Sequence, residues 1–311
     1  MNKYSDEQIH LAARLYYMDG LGQAEVARLV KVSQATVSRL LAQAKERGIV
    51  RITVADYDPR HHSLEQALQD KYRLRHAIVI KTLDGLTAEE RRRIVAHFAA
   101  PVLEAMIPRG AVVAIGGGYS LYELTRAFPN VKKEVTAVQA MGGVDSTPTP
   151  YDSNKLIQVV AEKWEGTYLM FNAPALLPDK RTRDTFVALE PIRAVYEKLA
   201  QADVALVGIR TLERSVFVER NIFGNKGFAE IRKSGAVGEI CGRYFNARGW
   251  ECETRFRDRL IGIPLETLRK IPEVIAVVAG EERATATAAA IRGGMVKSLV
   301  IDESGARAML K

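Results

Sequence analysis

The stretch QAEVARLVKVSQATVSRLLAQAKERGIV, residues 23–50, predicts two short helices that meet at a tight turn. Apolar residues recur at helical spacing on both sides of the turn: Val26, Ala27, Leu29 and Val30, then Val37, Leu40, Leu41 and Ala44. Ser33 is a suitable N-cap for the second helix, because its hydroxyl can accept from free backbone N–H groups. Gly48 ends that helix where a left-handed residue is common. Such a pair is typical of helix-turn-helix proteins, which place the second helix against DNA.

The first turns of the second helix carry side chains that suit DNA contacts. Gln can pair with adenine, Arg with guanine, Ala with a thymine methyl, and Ser or Thr with bases or phosphates. We predict DNA contacts from this helix start and from the first residue of the preceding helix: Gln23, Ser33, Gln34, Ala35, Thr36, Ser38 and Arg39. Three roles are open for Arg39: a base contact, a phosphate contact or a solvated surface charge.

The flanking segments extend this motif. Upstream, Ile9, Ala12, Ala13, Leu15, Tyr16 and Met18 predict a first helix that Gly20 ends. Downstream, the alternation in IVRITV, residues 49–54, predicts a short strand and therefore a winged motif. The segment from Gln23 to Arg51 contains six basic residues and two acidic ones. This positive balance favours a DNA-binding motif over the alternative of a helical hairpin inside a larger core. We assign residues 1–58 to a winged helix-turn-helix DNA-binding domain.

Composition limits the class of protein. The 311 residues are enough for about two domains, and their net charge of +8 favours a polyanionic partner. The clusters Arg91–Arg93 and Lys132–Lys133 lie far from the helix pair and are interpreted mostly as solvated faces. The two cysteines, Cys241 and Cys252, do not make a zinc motif, and we expect no metal and no cofactor. The N-terminus does not resemble a signal peptide and no apolar run reaches membrane-spanning length, so a cytoplasmic protein without a membrane partner is expected.

Residues 59–311 alternate between apolar strands and amphipathic helices. The strands are predicted near residues 77–81, 111–117, 135–141, 167–171, 204–209, 274–280 and 299–302. Strands that are apolar on both faces indicate an α/β domain with a mostly parallel sheet between helices. Ligands of such domains bind beyond the carboxyl ends of the strands.

Four segments are candidates for a ligand site at these strand ends. The loop IGGGYSLYEL, residues 115–124, can hold an anion at a helix start, and MGGVDS, residues 141–146, brings the polar Asp145. The segment 234–249 is interpreted as a third glycine loop, with Glu239 as an acceptor, and Arg283 in a fourth can grip a phosphate. Each has a structural alternative: a tight turn, a flexible surface loop, a helix cap for Glu239 and a surface charge for Arg283.

The combined segments resemble the SorC/DeoR-type family of sugar-binding bacterial transcriptional regulators. Residues 16–52 resemble the family's DNA-binding head, and three further segments resemble its effector domain: GAVGEICGRYFNARG at 235–249, LIGIPLETLRKIP at 260–272 and AGEERATATAAAIRGG at 279–294. The resemblance implies a Rossmann-like α/β effector domain at 59–311, related to sugar-phosphate isomerases and deaminases. It also implies a homo-oligomer, typically a tetramer, that binds operator DNA near a carbohydrate catabolic operon and responds to a phosphorylated sugar or polyol.

The same resemblance assigns roles to effector-binding residues. The family's phosphate loop corresponds to Gly116, Gly118, Ser120 and Leu121, and its second loop to Gly142 and Gly143. Glu239 corresponds to an acidic ligand of the sugar, and Arg283 to a basic ligand of the phosphate. Three positions depart from the family pattern. Ser120 stands where Thr is usual and Arg283 where Lys is usual, and Gly22 replaces a Ser or Thr cap.

The rival function is an enzyme that acts on a sugar phosphate, since the related folds include isomerases and deaminases. Proton abstraction from carbon needs a positioned general base with an acid partner. Glu239 and Asp145 are the only attractive bases, and all five histidines precede the predicted ligand loops. We therefore predict a ligand-controlled regulator with no catalytic residues.

Overall fold

The structure, a computed structural model, describes residues 4–53, 57–144 and 149–311. The chain forms two compact units, Met1–Asp58 and Pro59–Lys311. A search of the described residues finds no helix that is long and apolar enough to cross a membrane.

The N-terminal unit contains three helices, α1 (Asp6–Tyr17), α2 (Gln23–Val30) and α3 (Gln34–Glu46). The predicted caps are confirmed: the Ser33 hydroxyl accepts from the Thr36 N–H at 3.1 Å, and Gly48 has a φ of +70°. Gly22 is the N-cap of α2 and makes no side-chain bond there, as the departure from the family pattern predicts. The apolar faces of the three helices pack into one small core.

Two expectations for this unit are wrong. Residues 49–53 form no strand, and residue 54 lies outside the described residues. A strand is stable only when a neighbour completes its ladder, and the described part of this unit contains no other strand to pair with it. Leu29 and Met18, predicted as core residues, are 56% and 77% exposed. Other residues of the same helices, such as Ala13 in α1 and Val26 in α2, fill the core instead.

The C-terminal unit contains strands of the predicted kind. In chain order they are β1 (His76–Ile80), β2 (Val112–Ile115), β3 (Thr136–Gln139), β4 (Thr167–Leu169), β5 (Val204–Val207), β6 (Ala236–Ile240), β7 (Arg243–Asn246), β8 (Glu273–Val277) and β9 (Ser298–Asp302). Seven of them form one parallel sheet in the order β1-β9-β8-β5-β2-β3-β4. The α/β class and the parallel sheet are therefore confirmed.

Helices cover both faces of this sheet. The helices of this unit, in chain order, are α4 (His62–Tyr72), α5 (Ala88–Met106), α6 (Tyr119–Ala127), α7 (Ser153–Lys163), α8 (Lys180–Ala188), α9 (Glu190–Ala200), α10 (Val216–Glu219), α11 (Gly224–Lys233), α12 (Leu265–Lys270), α13 (Ala284–Arg292) and α14 (Glu303–Leu310). Successive residues of each strand point to opposite faces. Ile78 and Val113 accordingly pack with α5, α6 and α7, while Val79 and Ala114 pack with α4, α9, α13 and α14.

The strand order creates a crevice between β2 and β5. From β2 the chain continues outward through β3 and β4, whereas β5, β8 and β9 lie on the other side. A parallel sheet binds its ligand where the order diverges in this way, beyond the carboxyl ends of the strands. The segments after β2, β3, β5 and β8 therefore meet at this crevice.

The third predicted glycine loop, residues 234–249, is instead a hairpin. Strands β6 and β7 pair antiparallel around a turn at Cys241 and Gly242, whose φ values are +48° and +83°. Two successive left-handed residues match the right-handed twist of paired strands, so the segment closes on itself rather than forming a loop. Glu239 thus lies on a strand.

Candidate functional site

The start of α3 presents the predicted DNA-contacting side chains. Gln34, Ala35, Ser38 and Arg39 are exposed, and Gln23 and Thr36 are partly exposed. The Ser33 hydroxyl is occupied by the helix cap and by the Thr36 hydroxyl at 2.9 Å. That arrangement leaves one side of the helix start available to a groove of DNA, and the individual contacts stay predictions.

A cavity of about 580 Å³ lies at the carboxyl ends of the sheet strands. Its wall includes six of the nine predicted effector residues: Gly118, Ser120, Leu121, Gly142, Gly143 and Arg283. Gly116 and Glu239 are placed behind the wall, and Asp145 lies outside the described residues. The fold thus brings together segments that are more than a hundred residues apart in the sequence.

Gly118 shapes the first wall of this cavity. Its φ of +123° and ψ of 168° are accessible almost only to glycine, and its N–H donates to the Tyr151 carbonyl at 2.8 Å. It is the N-cap of α6 and makes no side-chain cap bond, so the first-turn N–H groups of Tyr119, Ser120 and Leu121 have no partner within the helix. These donors and the positive end of the helix dipole favour an anion here.

The second wall is the loop after β3. A side chain at Gly142 would place its Cβ 2.6 Å from the Ala173 carbonyl oxygen, so this glycine permits close backbone packing. Gly142 N–H donates to Ile261 and Gly143 N–H to Ala173, at 3.0 and 2.9 Å. The loop is therefore held rigidly where it borders the cavity.

Glu239 acts through Arg210 rather than at the wall. The carboxylate is 1% exposed, accepts from the Gly242 N–H at 2.6 Å, and lies 3.3 Å from the Arg210 Nη1. Arg210 Nη2 in turn donates to the Gly117 carbonyl at 3.3 Å. Glu239 thus orients a guanidinium that does line the cavity. Gly116 is buried against Cys241, where a Cβ would lie 3.3 Å from the sulfur.

Arg283 reaches the cavity from the loop after β8. Its side chain is only 15% exposed, and its guanidinium donates to the Ala279 carbonyl and to Glu282. Burial, and after it the like charges of Arg92, Arg210 and Arg214, lower the pKa of Arg283, while Glu282 opposes that change. An anion that enters the cavity would relieve this repulsion.

The wall carries four further arginines that the sequence pattern did not indicate: Arg92, Arg210, Arg214 and Arg220. Arg210 comes three residues after the end of β5 and directly after the strand predicted at 204–209, so its position at a strand end could have identified it. Arg92 belongs to the cluster interpreted as a solvated face, and the structure corrects that interpretation. Within this cluster Arg93 alone is exposed, because consecutive residues of a helix point about 100° apart.

Other polar side chains of the wall already make hydrogen bonds within the protein. The Gln139 amide donates to the Ser153 hydroxyl at 3.1 Å and accepts from the Phe171 N–H at 2.9 Å, and Ser153 donates to the Met141 carbonyl. Asn154 also lines the cavity, and its side-chain oxygen is buried without a hydrogen-bond partner in the described part of the chain. Asn154 is thus the amide most available to a hydroxyl group.

The described wall offers little for acid–base catalysis. It includes three carboxylates, Asp152, Glu219 and Glu282, and each lies within 4 Å of an arginine. No histidine contributes to the wall within the described ranges. Across those ranges, no group of three or more His, Cys, Asp or Glu side chains could hold a metal ion. The arrangement is suited to binding a polar anion rather than to moving protons.

Residues 60–311 match the family model described as a sugar-binding domain. The chain is 30% identical to the deoxyribonucleoside regulator of Bacillus subtilis over an alignment of 304 residues, and this alignment covers 96% of each sequence. It is 26% identical to the sorbitol operon regulator of Klebsiella pneumoniae, again over 96% of both. The crystal structure of full-length SorC from that organism aligns over all of both chains with a TM-score of 0.80.

Proposed function

The chain belongs to the sugar-binding-domain family of SorC/DeoR-type transcriptional regulators, and we propose that a phosphorylated sugar or polyol in its cavity controls its binding to operator DNA. The observation that carries this proposal is the juxtaposition of the α6 N-terminus with Arg210 and Arg283. Helix-start N–H groups and guanidinium groups are both phosphate ligands in proteins.

The proposal assigns a different role to each of the two units. Residues 1–58 bind DNA through α3, with contacts from the exposed Gln34, Ser38 and Arg39. Residues 59–311 bind the effector and assemble the oligomer, which we propose to be a tetramer. The effector acts by binding one arrangement of the subunits more tightly than another, since only such a difference shifts a population. Because operator DNA lies in the cytoplasm, we also propose that the protein works there.

The chain is a regulator rather than a sugar-phosphate isomerase or deaminase. The relatives that match it over nearly their full length are transcriptional regulators. The cavity supports the same conclusion, because Glu239 is buried behind Arg210 and is fully engaged by the Gly242 N–H and that guanidinium. It is therefore poorly placed to accept a proton from a substrate carbon.

The test is a gel shift of the full-length protein on DNA from upstream of its own gene, with a panel of sugar and polyol phosphates. We expect a sequence-selective complex whose affinity falls steeply with salt, because phosphate neutralisation releases counterions. At least one compound of the panel should change the affinity. No complex, or no response to any compound, would contradict the proposal.

Arg283→Ala separates sensing from DNA binding. We expect the variant to bind the operator as the wild type does and to lose the response to the effector. Arg292→Ala is the matched control, because Arg292 is an exposed arginine at the end of α13, the helix that begins directly after Arg283, and it lies outside this cavity. A variant that loses operator binding together with the response would show that Arg283 serves folding instead. Light scattering of the wild type measures the oligomeric state, and a monomer or dimer would refute the tetramer.

A further inference from the structure

Four of the five cavity arginines are balanced by a carboxylate. The nitrogen–oxygen distances are at most 3.7 Å in these pairs: Arg210–Glu239, Arg214–Glu219, Arg220–Asp152 and Arg283–Glu282. The fifth, Arg92, has no carboxylate within 4 Å among the residues that the structure describes. The charge of Arg92 is therefore the one that the described wall leaves uncompensated.

Arg92 lies beside the anion-binding end of α6. Its guanidinium carbon is 5.1 Å from the centre of the ring of Tyr119, which is the first residue of α6. Its Nε is buried and has no hydrogen-bond acceptor within the described chain. A desolvated donor on a cation is costly unless an acceptor reaches the group, and an anion in the cavity that Arg92 shares with the start of α6 would supply that acceptor.

A buried carboxylate links the helix that carries Arg92 to the loop that carries Arg283. The preceding residue, Arg91, lies 3.7 Å from Asp302, which is fully buried at the end of β9. Asp302 also accepts from the Gly280 N–H at 2.7 Å, three residues before Arg283. One buried carboxylate thus contacts both the helix that carries Arg92 and the loop that carries Arg283.

The charge balance of the wall indicates the ligand class. The four ion pairs of the described wall cancel, which leaves the unit charge of Arg92 and about half a unit charge at the N-terminus of each of α6, α7 and α13, all three of which border the cavity. The total for the described wall is about +2.5, and a phosphate monoester carries about −1.5 to −2 near neutral pH. A carboxylate would leave more than half of this positive charge unmatched, and a second phosphate would exceed it.

We propose that Arg92 is the specificity-determining residue that makes this cavity select an effector with a single phosphate monoester. The proposal rests on the proposed function and adds to it the residue and the number of phosphates. Arg92 contacts the phosphate together with Arg283 and the first-turn N–H groups of α6. The effector's remaining groups are then neutral and can bond to Asn154, whose amide also lines the cavity.

The experiment measures how anions stabilise the full-length protein against heat, with inorganic phosphate, acetate and pyrophosphate as probes at equal ionic strength. At about pH 8 inorganic phosphate is mostly a dianion, whereas acetate has a single charge. The variants are Arg92→Gln, which removes the charge, and Arg92→Lys, which keeps it but loses the planar fork. Arg93→Gln is the matched control, because Arg93 is an exposed neighbour on α5 that pairs with Glu89 at 2.7 Å.

We expect the wild type to bind phosphate in preference to acetate, and Arg92→Gln to weaken the phosphate affinity roughly 10- to 100-fold, the range typical of a hydrogen bond to a charged group. Arg92→Lys should fall between the two, and Arg93→Gln should match the wild type. Pyrophosphate should bind no tighter than phosphate. Equal phosphate affinity in Arg92→Gln and wild type, or a clear preference for pyrophosphate, would overturn the inference.

The outcomes separate this inference from the proposed function. If the wild type responds to sugar phosphates in the gel shift while Arg92→Gln responds equally, Arg92 has no role but the regulator stands. If the wild type responds to no sugar phosphate, the proposed function fails first. Operator binding by Arg92→Gln checks that the variant is folded, and Arg92→Lys provides the second measurement if it is not.

Discussion

Gly118→Ala tests whether the backbone at the start of α6 is strained for function. At the observed φ of +123° and ψ of 168°, a residue with a Cβ costs on the order of 1–3 kcal/mol. The new Cβ would also lie 2.8 Å from Arg210 Nη2 and would displace a guanidinium that donates to the Gly117 carbonyl. Loss of that hydrogen bond adds about 1 kcal/mol, which gives a total of about 2–4 kcal/mol.

The assay is thermal unfolding of the full-length protein with and without an effector or inorganic phosphate. A domain of this size loses about 2–4 °C of melting temperature for each kcal/mol, so a loss of about 2–4 kcal/mol should lower the melting temperature by roughly 4–16 °C. The stabilisation by the anion should also fall, because the displaced Arg210 no longer faces the phosphate position. Both effects have one cause, the conflict between a Cβ and this backbone conformation.

The matched control for stability is Gly208→Ala, at a glycine that also borders the cavity. Its φ is not positive, and its Cβ would meet its nearest atom, the Gly117 carbonyl oxygen, at 3.6 Å, which is ordinary contact. We expect its melting temperature to stay within about 2 °C of the wild type. If Gly118→Ala is as stable as this control and binds the anion as the wild type does, the argument from backbone strain is refuted.

Three further predictions concern other parts of the chain. Ser33→Ala should destabilise α3 by about 1 kcal/mol, because it removes the cap on the Thr36 N–H. Hydrogen exchange of the α3 amides should then accelerate roughly fivefold. Unchanged exchange would contradict the capping role of Ser33. Arg39→Gln should cost about 1–3 kcal/mol of discrimination at one operator base pair, measured on operator variants, whereas a uniform loss would indicate a phosphate contact. Asp302→Asn should lower the melting temperature and weaken anion binding, since the buried carboxylate pairs with Arg91 and accepts from the Gly280 N–H. Anion binding that stays at the wild-type level would show that Asp302 does not position the site.

Several parts of the fold were predictable because they depend on short-range spacing. The helix pair around Ser33 follows from apolar periodicity and a local cap, and the parallel sheet follows from strands that are apolar on both faces. The wing strand at 49–54 was predicted from the same local alternation and is not formed over residues 49–53, since a strand also requires a neighbour. The hairpin at residues 234–249 was missed because its glycines were interpreted as loop residues, although a two-residue turn also uses left-handed positions.

The sequence by itself determined that this chain joins a helix-turn-helix unit to an α/β unit with glycine loops at its strand ends, because helix caps, periodicity and turns depend on neighbours along the chain. Only the tertiary structure decided which charges meet. It placed Glu239 behind Arg210 and turned Arg92 from a predicted solvated face to the cavity. Ion pairing depends on distances of a few ångström between segments that are far apart in sequence, and these distances exist only after the parallel strands have aligned.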